Sequence, residues 1–350
     1  MARYYTNIYN RYDKMYVRGY EDNKPFTDIV HYKPYVFLAK ANGMYRTIDG
    51  KPVDKMMFDS IGDARDFLKR YEDVSGMEIY GLTSFPYLFL YDNFHGEQKY
   101  DPSTISVVSI DIECAADDGF PDIKLANKEI TAISLRKKGN TIVFGCGDYK
   151  PTEDSITYVK CKSEIELLEK FLNVWNHNSV KPDIITGWNV EEYDIPYLCN
   201  RITKLLGEPE AKKLSPWGWV SGRMKEVSPD RWSQIWNILG ISTIDYLKLF
   251  KWYAPTGKSQ EDYKLDTVAH EELGTRKVSF EEYGNLERLF DENPQLFMEY
   301  NLKDVDLVDQ LDAKHNLMSM AMTLCFTNKH NFEDVFAQTR MWDAICFNRL

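Results

Sequence analysis

Cysteine is scarce in this 350-residue chain. Its six residues, Cys114, Cys146, Cys161, Cys199, Cys325 and Cys346, include no Cys-x-x-Cys pair. That argues against a disulfide framework and a structural zinc, and it suits a reducing cytoplasm. Long apolar runs are missing too. None approaches the roughly 18 residues that span a bilayer, so no membrane partner is expected. The opening MARYYTNIYNRYDK lacks the apolar core of a secretory signal. Positive charge is in deficit: 43 Lys and Arg against 54 Asp and Glu leave −11. This argues against a general nucleic-acid binder with a basic face. It does not exclude an enzyme that holds phosphates at an acidic centre filled by cations.

What is present is the composition of a globular chain, 43% hydrophobic and 28% charged, long enough for two domains. Ile105 to Glu113, ISVVSIDIE, reads as a buried strand with two acids at its end. Asp111 and Glu113, one residue apart, point to the same face of that strand. Two carboxylates so placed repel each other and are expensive to desolvate, and a cation turns the repulsion into coordination.

Residues 1 to about 100 read as β-rich with one clear helix. KMYVRGY (14–20) and IVHYKPYVFLAK (29–40) have strand composition. Ser60 to Asp73 is helical, with Ser60 as N-cap. The Tyr and Phe residues of this region read as buried core rather than a stacking surface for bases. From about 101 to 315 the pattern is α/β. ITAISL (130–135) and TIVFG (141–145) read as antiparallel neighbours, and DIITGW (183–188) and ISTID (241–245) as further strands. Helices are expected over 163–176, 194–206 and 265–273, from a capping box at Ser279 to Glu282, and from Pro294 past Leu311. Two β-type runs around Ser228-Pro229-Asp230 predict a protruding hairpin. Strands with helices on their faces imply a three-layer α/β arrangement. Residues 316–350 return to a Met- and aromatic-rich pattern.

Two more acids draw attention. Asp194 stands at a strand-to-helix junction, where on its own it reads as an N-cap; Glu191 and Glu192 beside it read as solvated. Tyr300 and Asp304 lie one turn apart on the last strong helix, Asp304 beside the apolar stripe. Asp306, Asp309 and Asp312 on that helix read as a solvated edge. A strand-end Asp-x-Glu, a junction Asp and a helical Asp can converge on one sheet edge. Spacing permits that without requiring it.

SIDIECAADDGFPD, TGWNVEEYDIPYLCNRI and YNLKDVDLVDQLD resemble, in order, the three exonuclease motifs of family B DNA polymerases, most nearly the T-even-type phage branch. The resemblance extends over essentially the whole chain, through SIGDARDFLKRYEDV, GISTIDYLKLF and TRMWDAICFNRL. It implies an RNase H-like 3′→5′ exonuclease domain over 101–315, with a mixed sheet flanked by helices. It also implies a β-rich α+β N-terminal domain over 1–100, and a return segment, 316–350, that packs on it.

By the same resemblance Asp111, Glu113, Asp194 and Asp304 would ligate two Mg²⁺ or Mn²⁺ ions, and Tyr300 would position the attacking water. Asn189 and Tyr193 would line the channel for a frayed 3′ end. Thr275 stands where a phosphate-assisting basic residue aligns, with Arg276 and Lys277 next, and the choice among them stays open. The hairpin at Ser228 to Trp232 would help part primer from template. Expected partners are single-stranded DNA, primer–template 3′ ends, replisome proteins and a separately encoded or missing palm, fingers and thumb, in the cytoplasm of an infected bacterium. No palm motif is found before Leu350. The chain is therefore expected to proofread without polymerising, or else to act as a non-catalytic DNA-binding and docking half of a split polymerase.

Overall fold

The structure, a computed structural model, describes residues 3–115, 119–254 and 262–349. Part of the first motif, 116–118, and the terminal Leu350 lie outside the described residues, as does the Ser228 side chain. Two compact units are present: Met1–Thr104 with Ser319–Leu350, and Ile105–Met318.

In the first unit β1 (Arg3–Arg11), β2 (Lys14–Glu21) and β3 (Lys24–His31) form an antiparallel sheet. A second sheet, ordered β5-β6-β4-β7, joins β4 (Tyr35–Ala39), β5 (Tyr45–Arg46), β6 (Pro52–Met57) and β7 (Ile79–Tyr80). The 29–40 run is thus split between β3 and β4, and Pro34, which has no N–H to donate, lies in the break. Helix α1 (Ile61–Tyr71) starts as expected, with Ser60 Oγ accepting from the Asp63 N–H at 3.0 Å. The expectation of one helix was wrong: α2 (Phe85–Asn93) is a second. Five of its nine residues are buried, so it has no polar face to create a 3.6-residue rhythm.

The second unit holds a six-stranded mixed sheet. Its strands are β8 (Val107–Cys114), β9 (Ile130–Lys137), β10 (Asn140–Gly145), β11 (Ile156–Lys160), β12 (Ile184–Gly187) and β15 (Ser242–Asp245). The order is β11-β10-β9-β8-β12-β15. Strand β8 runs antiparallel to β9 and parallel to β12, which runs parallel to β15. Between β12 and β15 the chain makes the expected hairpin, β13 (Val220–Ser228) and β14 (Arg231–Ile238), with Asp230 at φ +61° in the turn.

Helices α3 (Glu164–Trp175), α4 (Asp194–Leu206), α5 (Glu208–Lys212), α6 (Tyr246–Tyr253), α7 (Leu265–Leu273), α8 (Leu286–Glu292) and α9 (Pro294–His315) belong to the same unit; α3, α4, α7 and α9 follow the sequence expectation, and α5, α6 and α8 are additions. The box at Ser279 yields only a 3-10 turn, Glu281–Tyr283, because Gly284 in the left-handed region ends it. Helix α10 (Leu317–Asn328) begins as the second unit ends, and α11 (Gln338–Arg349) lies in the first unit. There, Asn331 bonds both the N–H and the C=O of Ile8, so an amide side chain continues the pairing of β1. Among the described residues no helix is long and apolar enough to cross a membrane.

Alternation along β8 divides the second unit. Val108, Ile110, Ile112 and Cys114 enter a core with α3 and α4, while Ala132 and Val143 on the other face meet Phe297, Met298 and Leu302 of α9. Fully burying each large aliphatic of β8 stabilises by about 1.5–3 kcal/mol. That offsets the desolvation of acids on the opposite face. Gly187 ends β12 so close to β8 that a Cβ there would lie 2.5 Å from the Ile110 carbonyl oxygen.

Candidate active site

Strand β8 presents Asp111 and Glu113 on the face that α9 covers, and α9 supplies Asp304. One carboxylate oxygen from each lies within 4.8 Å of the other two. Asp304 is buried, its Oδ2 pairs with Lys277 Nζ, and its Oδ1 is buried with no hydrogen-bond partner among the described residues. Three hard oxygen donors at this spacing, one of them unmet, fit a divalent cation that prefers carboxylates, such as Mg²⁺ or Mn²⁺.

Asp194 arrives from the opposite helix layer. It is the first residue of α4, and its Oδ1 accepts from the Ile112 N–H at 3.0 Å. Strand β12 pairs with β8 only as far as Thr186 opposite Ser109. Beyond that, the carboxylate takes the place of a strand, and the buried N–H is satisfied. The N-cap reading is therefore corrected: Tyr193 holds the cap position, and no side chain caps this helix.

Burial dominates the electrostatics. It pushes Asp111 well above the ordinary carboxylate range, with Asp304, Asp194 and Glu113 adding repulsion. Glu113 is raised to about 8 by burial and then by Asp304. Asp194 is raised to about 7 by burial, against the pull of backbone N–H groups. Asp304 is raised by burial despite Lys277. Burial opposes the Lys277 charge, yet Asp304 and Tyr300 hold its ammonium above the usual lysine range. Lys277 Nζ also sits 5.1 Å from the Tyr300 ring centre. Tyr300 packs edge-on against Phe280, and burial raises its hydroxyl to about 12.

Asp266 sorts the two basic candidates. Its Oδ2 takes Arg276 Nη1 at 2.9 Å, and its Oδ1 takes the Lys277 N–H at 2.7 Å. Arg276 stays exposed, and Lys277 turns into the cluster. Asn189 has φ +65°, and its N–H donates to Asp245. Tyr193 stacks with Tyr197 at 5.9 Å and meets Phe120 at 6.1 Å. Phe120, 87% exposed, was missed; a lone aromatic within the acidic DDGFPD was its signal. Exposed aromatics can stack on nucleic-acid bases.

Two readings of solvated acids fail. Glu191 pairs with Lys225 at 2.8 Å and Lys248 at 2.5 Å, and Glu192 with Arg231 at 3.2 Å. They join the Asn189–Tyr193 loop to the hairpin, whose cations the sequence did not bring near. Asp306 and Asp309 pair with Arg136 of β9, and Asp312 accepts from the Tyr246 hydroxyl and the Met318 N–H. Asn301 and Asp245 were also missed. Asn301 donates to Asp111, and a polar residue three before Asp304 on the same helix face was the available sign.

With the geometry in hand, comparisons place the chain among known proteins. The family model described as DNA polymerase family B, exonuclease domain, matches residues 86–268. Along its whole length the chain is 33% identical to the DNA-directed DNA polymerase of Escherichia phage RB69 and 31% identical to that of Enterobacteria phage T4. It spans 41% of the length of each. Over 63% of the chain it is 29% identical to DNA polymerase II of Escherichia coli (strain K12), covering 26% of that protein. The matched span includes β8 and the start of α4; α9 lies beyond it and within the phage alignments.

Proposed function

Because the chain belongs to DNA polymerase family B, whose exonuclease domain it carries, we propose that it removes mispaired nucleotides from 3′ ends of single-stranded DNA by 3′→5′ hydrolysis during phage DNA replication. The observation that carries this reading is the convergence of Asp111, Glu113 and Asp304, with the Asp304 Oδ1 unmet. Those three residues and Asp194 hold two divalent cations, Mg²⁺ or Mn²⁺. Bound there, such cations supply Lewis-acid activation of water and stabilisation of the leaving oxygen.

The chain's own residues do the rest. Asp194 fixes the end of β8 through the Ile112 N–H and offers its remaining oxygen to the site. Tyr300, held between Phe280 and Lys277, orients the attacking water through its hydroxyl. Lys277 offsets negative charge where a phosphate enters. Asn189 and Tyr193, with Phe120, receive the unpaired terminal bases, and Arg276 contacts the backbone from outside. Residues 1–100 serve as an N-terminal domain, 101–315 as the nuclease and 316–350 as the return segment. Partners are primer–template ends, replisome proteins and a palm–fingers–thumb portion, in the cytoplasm of an infected bacterium.

Single-turnover digestion of a 3′-mismatched primer tests this. Stepwise shortening with Mg²⁺, abolished by EDTA and by Asp111→Ala in a folded chain, is expected. A folded chain that leaves the primer intact would point instead to a docking half of a polymerase.

A further inference from the structure

Asn301 lies in the middle of α9, one residue past Tyr300, and is fully buried. Its helix neighbours Met298, Leu302 and Val305 are buried and apolar, so a polar side chain there needs partners. It has them on two strands. Asn301 Nδ2 donates to Asp111 Oδ2 at 2.6 Å, and its Oδ1 accepts from Ser134 Oγ. Ser134, itself fully buried, stands directly opposite Asp111 in the β8–β9 pairing. Cross-strand partners share a face, so one amide from α9 spans both.

An amide is nearly symmetric in shape and asymmetric in hydrogen bonding. The Asp111 carboxylate, which when ionised only accepts, turns the NH₂ end toward itself, and the Ser134 hydroxyl donates to the amide oxygen on the other side. Reversed, the amide would set its oxygen against a carboxylate. The arrangement engages one oxygen of Asp111 and keeps the other free.

We infer that Asn301, anchored by Ser134, is a positioning residue that holds Asp111 in its cation-binding orientation. This rests on the reading of Asp111 as a metal ligand. Outer-shell partners of ligating carboxylates set metal affinity by roughly 10- to 100-fold. Asn301 and Ser134 are both fully buried, so the loss falls on metal occupancy rather than on the turnover of the filled site.

Mn²⁺ binding to the purified chain without DNA, followed by electron paramagnetic resonance of free Mn²⁺, is the test. Melting curves of each variant serve as the fold control. Asn301→Ala and Ser134→Ala are expected to weaken Mn²⁺ binding by roughly 10- to 100-fold. The Mg²⁺ needed for half-maximal primer digestion should rise to match, with the rate at saturating Mg²⁺ kept within a few-fold. Should the buried Asn301→Ala variant not fold, Ser134→Ala decides alone. If Asp111→Ala abolishes binding while the Asn301 and Ser134 variants bind like the parent, the positioning role is overturned and the metal reading stands. If Asp111→Ala binds Mn²⁺ as well as the parent, the metal reading falls and takes this inference with it.

Discussion

Two strand-to-helix junctions leave the sheet side by side, β12 into α4 and β15 into α6, and each carries a buried aspartate. Asp245 accepts from the N–H groups of Asn189, Glu191, Leu247 and Lys248 at 3.0–3.4 Å. Asp194 accepts from the Ile112 N–H alone among the side-chain bonds described. Both are almost solvent-free. Asp245 is consumed by the fold: it caps α6 and holds the loop that carries Asn189. Asp194 instead ties the start of α4 to the end of β8. A buried acid with a full set of donors is offset by them, and one with fewer costs more to ionise.

Removing each acid should separate the two roles. The largest effect is expected from Asp194→Ala: primer digestion slower by at least about 10³-fold, roughly 4 kcal/mol of barrier, with a loss of stability of only about 1 kcal/mol for the one Ile112 N–H it strands. A comparable loss of stability in that variant would erase the contrast. Asp245→Ala is expected to destabilise by about 3 kcal/mol in urea unfolding, since it strands backbone N–H groups and a helix cap. An unchanged midpoint would mean that water replaces the carboxylate there.

The cations sharpen the contrast through pH. In the metal-free chain Glu113 is raised to about 8 and Asp194 to about 7 by burial. The folded state therefore holds protons that the unfolded chain releases above roughly pH 4.5. The stability these groups contribute falls as pH rises from there to about 8, because above it the folded state must bear their charges. Metal substitutes for those protons. Saturating Mg²⁺ should raise the melting temperature more at pH 8 than at pH 6, and an equal rise at both would contradict the raised acids. The smallest effect is expected at Glu192. Its pairing with the exposed Arg231 is worth under about 1 kcal/mol, and a double-mutant cycle of Glu192→Gln and Arg231→Gln should show a coupling that fades with salt. A coupling insensitive to salt would show a buried clamp instead.

The sheet and most of its helices were legible because the β-branched, apolar runs of β8 and β9 and caps such as Ser163 and Gly207 are local signals. Asp111, Glu113, Asp194 and Asp304 were visible as residues, but not as neighbours: periodicity gives a face and no partner across 190 residues, as between Asp111 and Asn301. The same limit explains the failure at Glu191, Glu192 and Asp309. Each is polar at a plausible surface position, and only tertiary approach of Lys225, Arg231 and Arg136 draws it into an ion pair. Helix α2 was lost for the opposite reason, a uniformly apolar run with no contrast to read.

Gly187 has a consequence for the alignment of the acid cluster. Replacing a carboxylate changes the net charge, the field that meets DNA and the metal count all at once. A methyl group at 187 would change none of those. It would press on the Ile110 carbonyl, one peptide from Asp111, and shift that ligand by a fraction of an ångström, where a site of this kind needs its groups within about 0.5 Å. Gly187→Ala is thus expected to misalign the cluster while staying isoelectric with the parent, and it would separate what the acids do by their charge from what they do by their position.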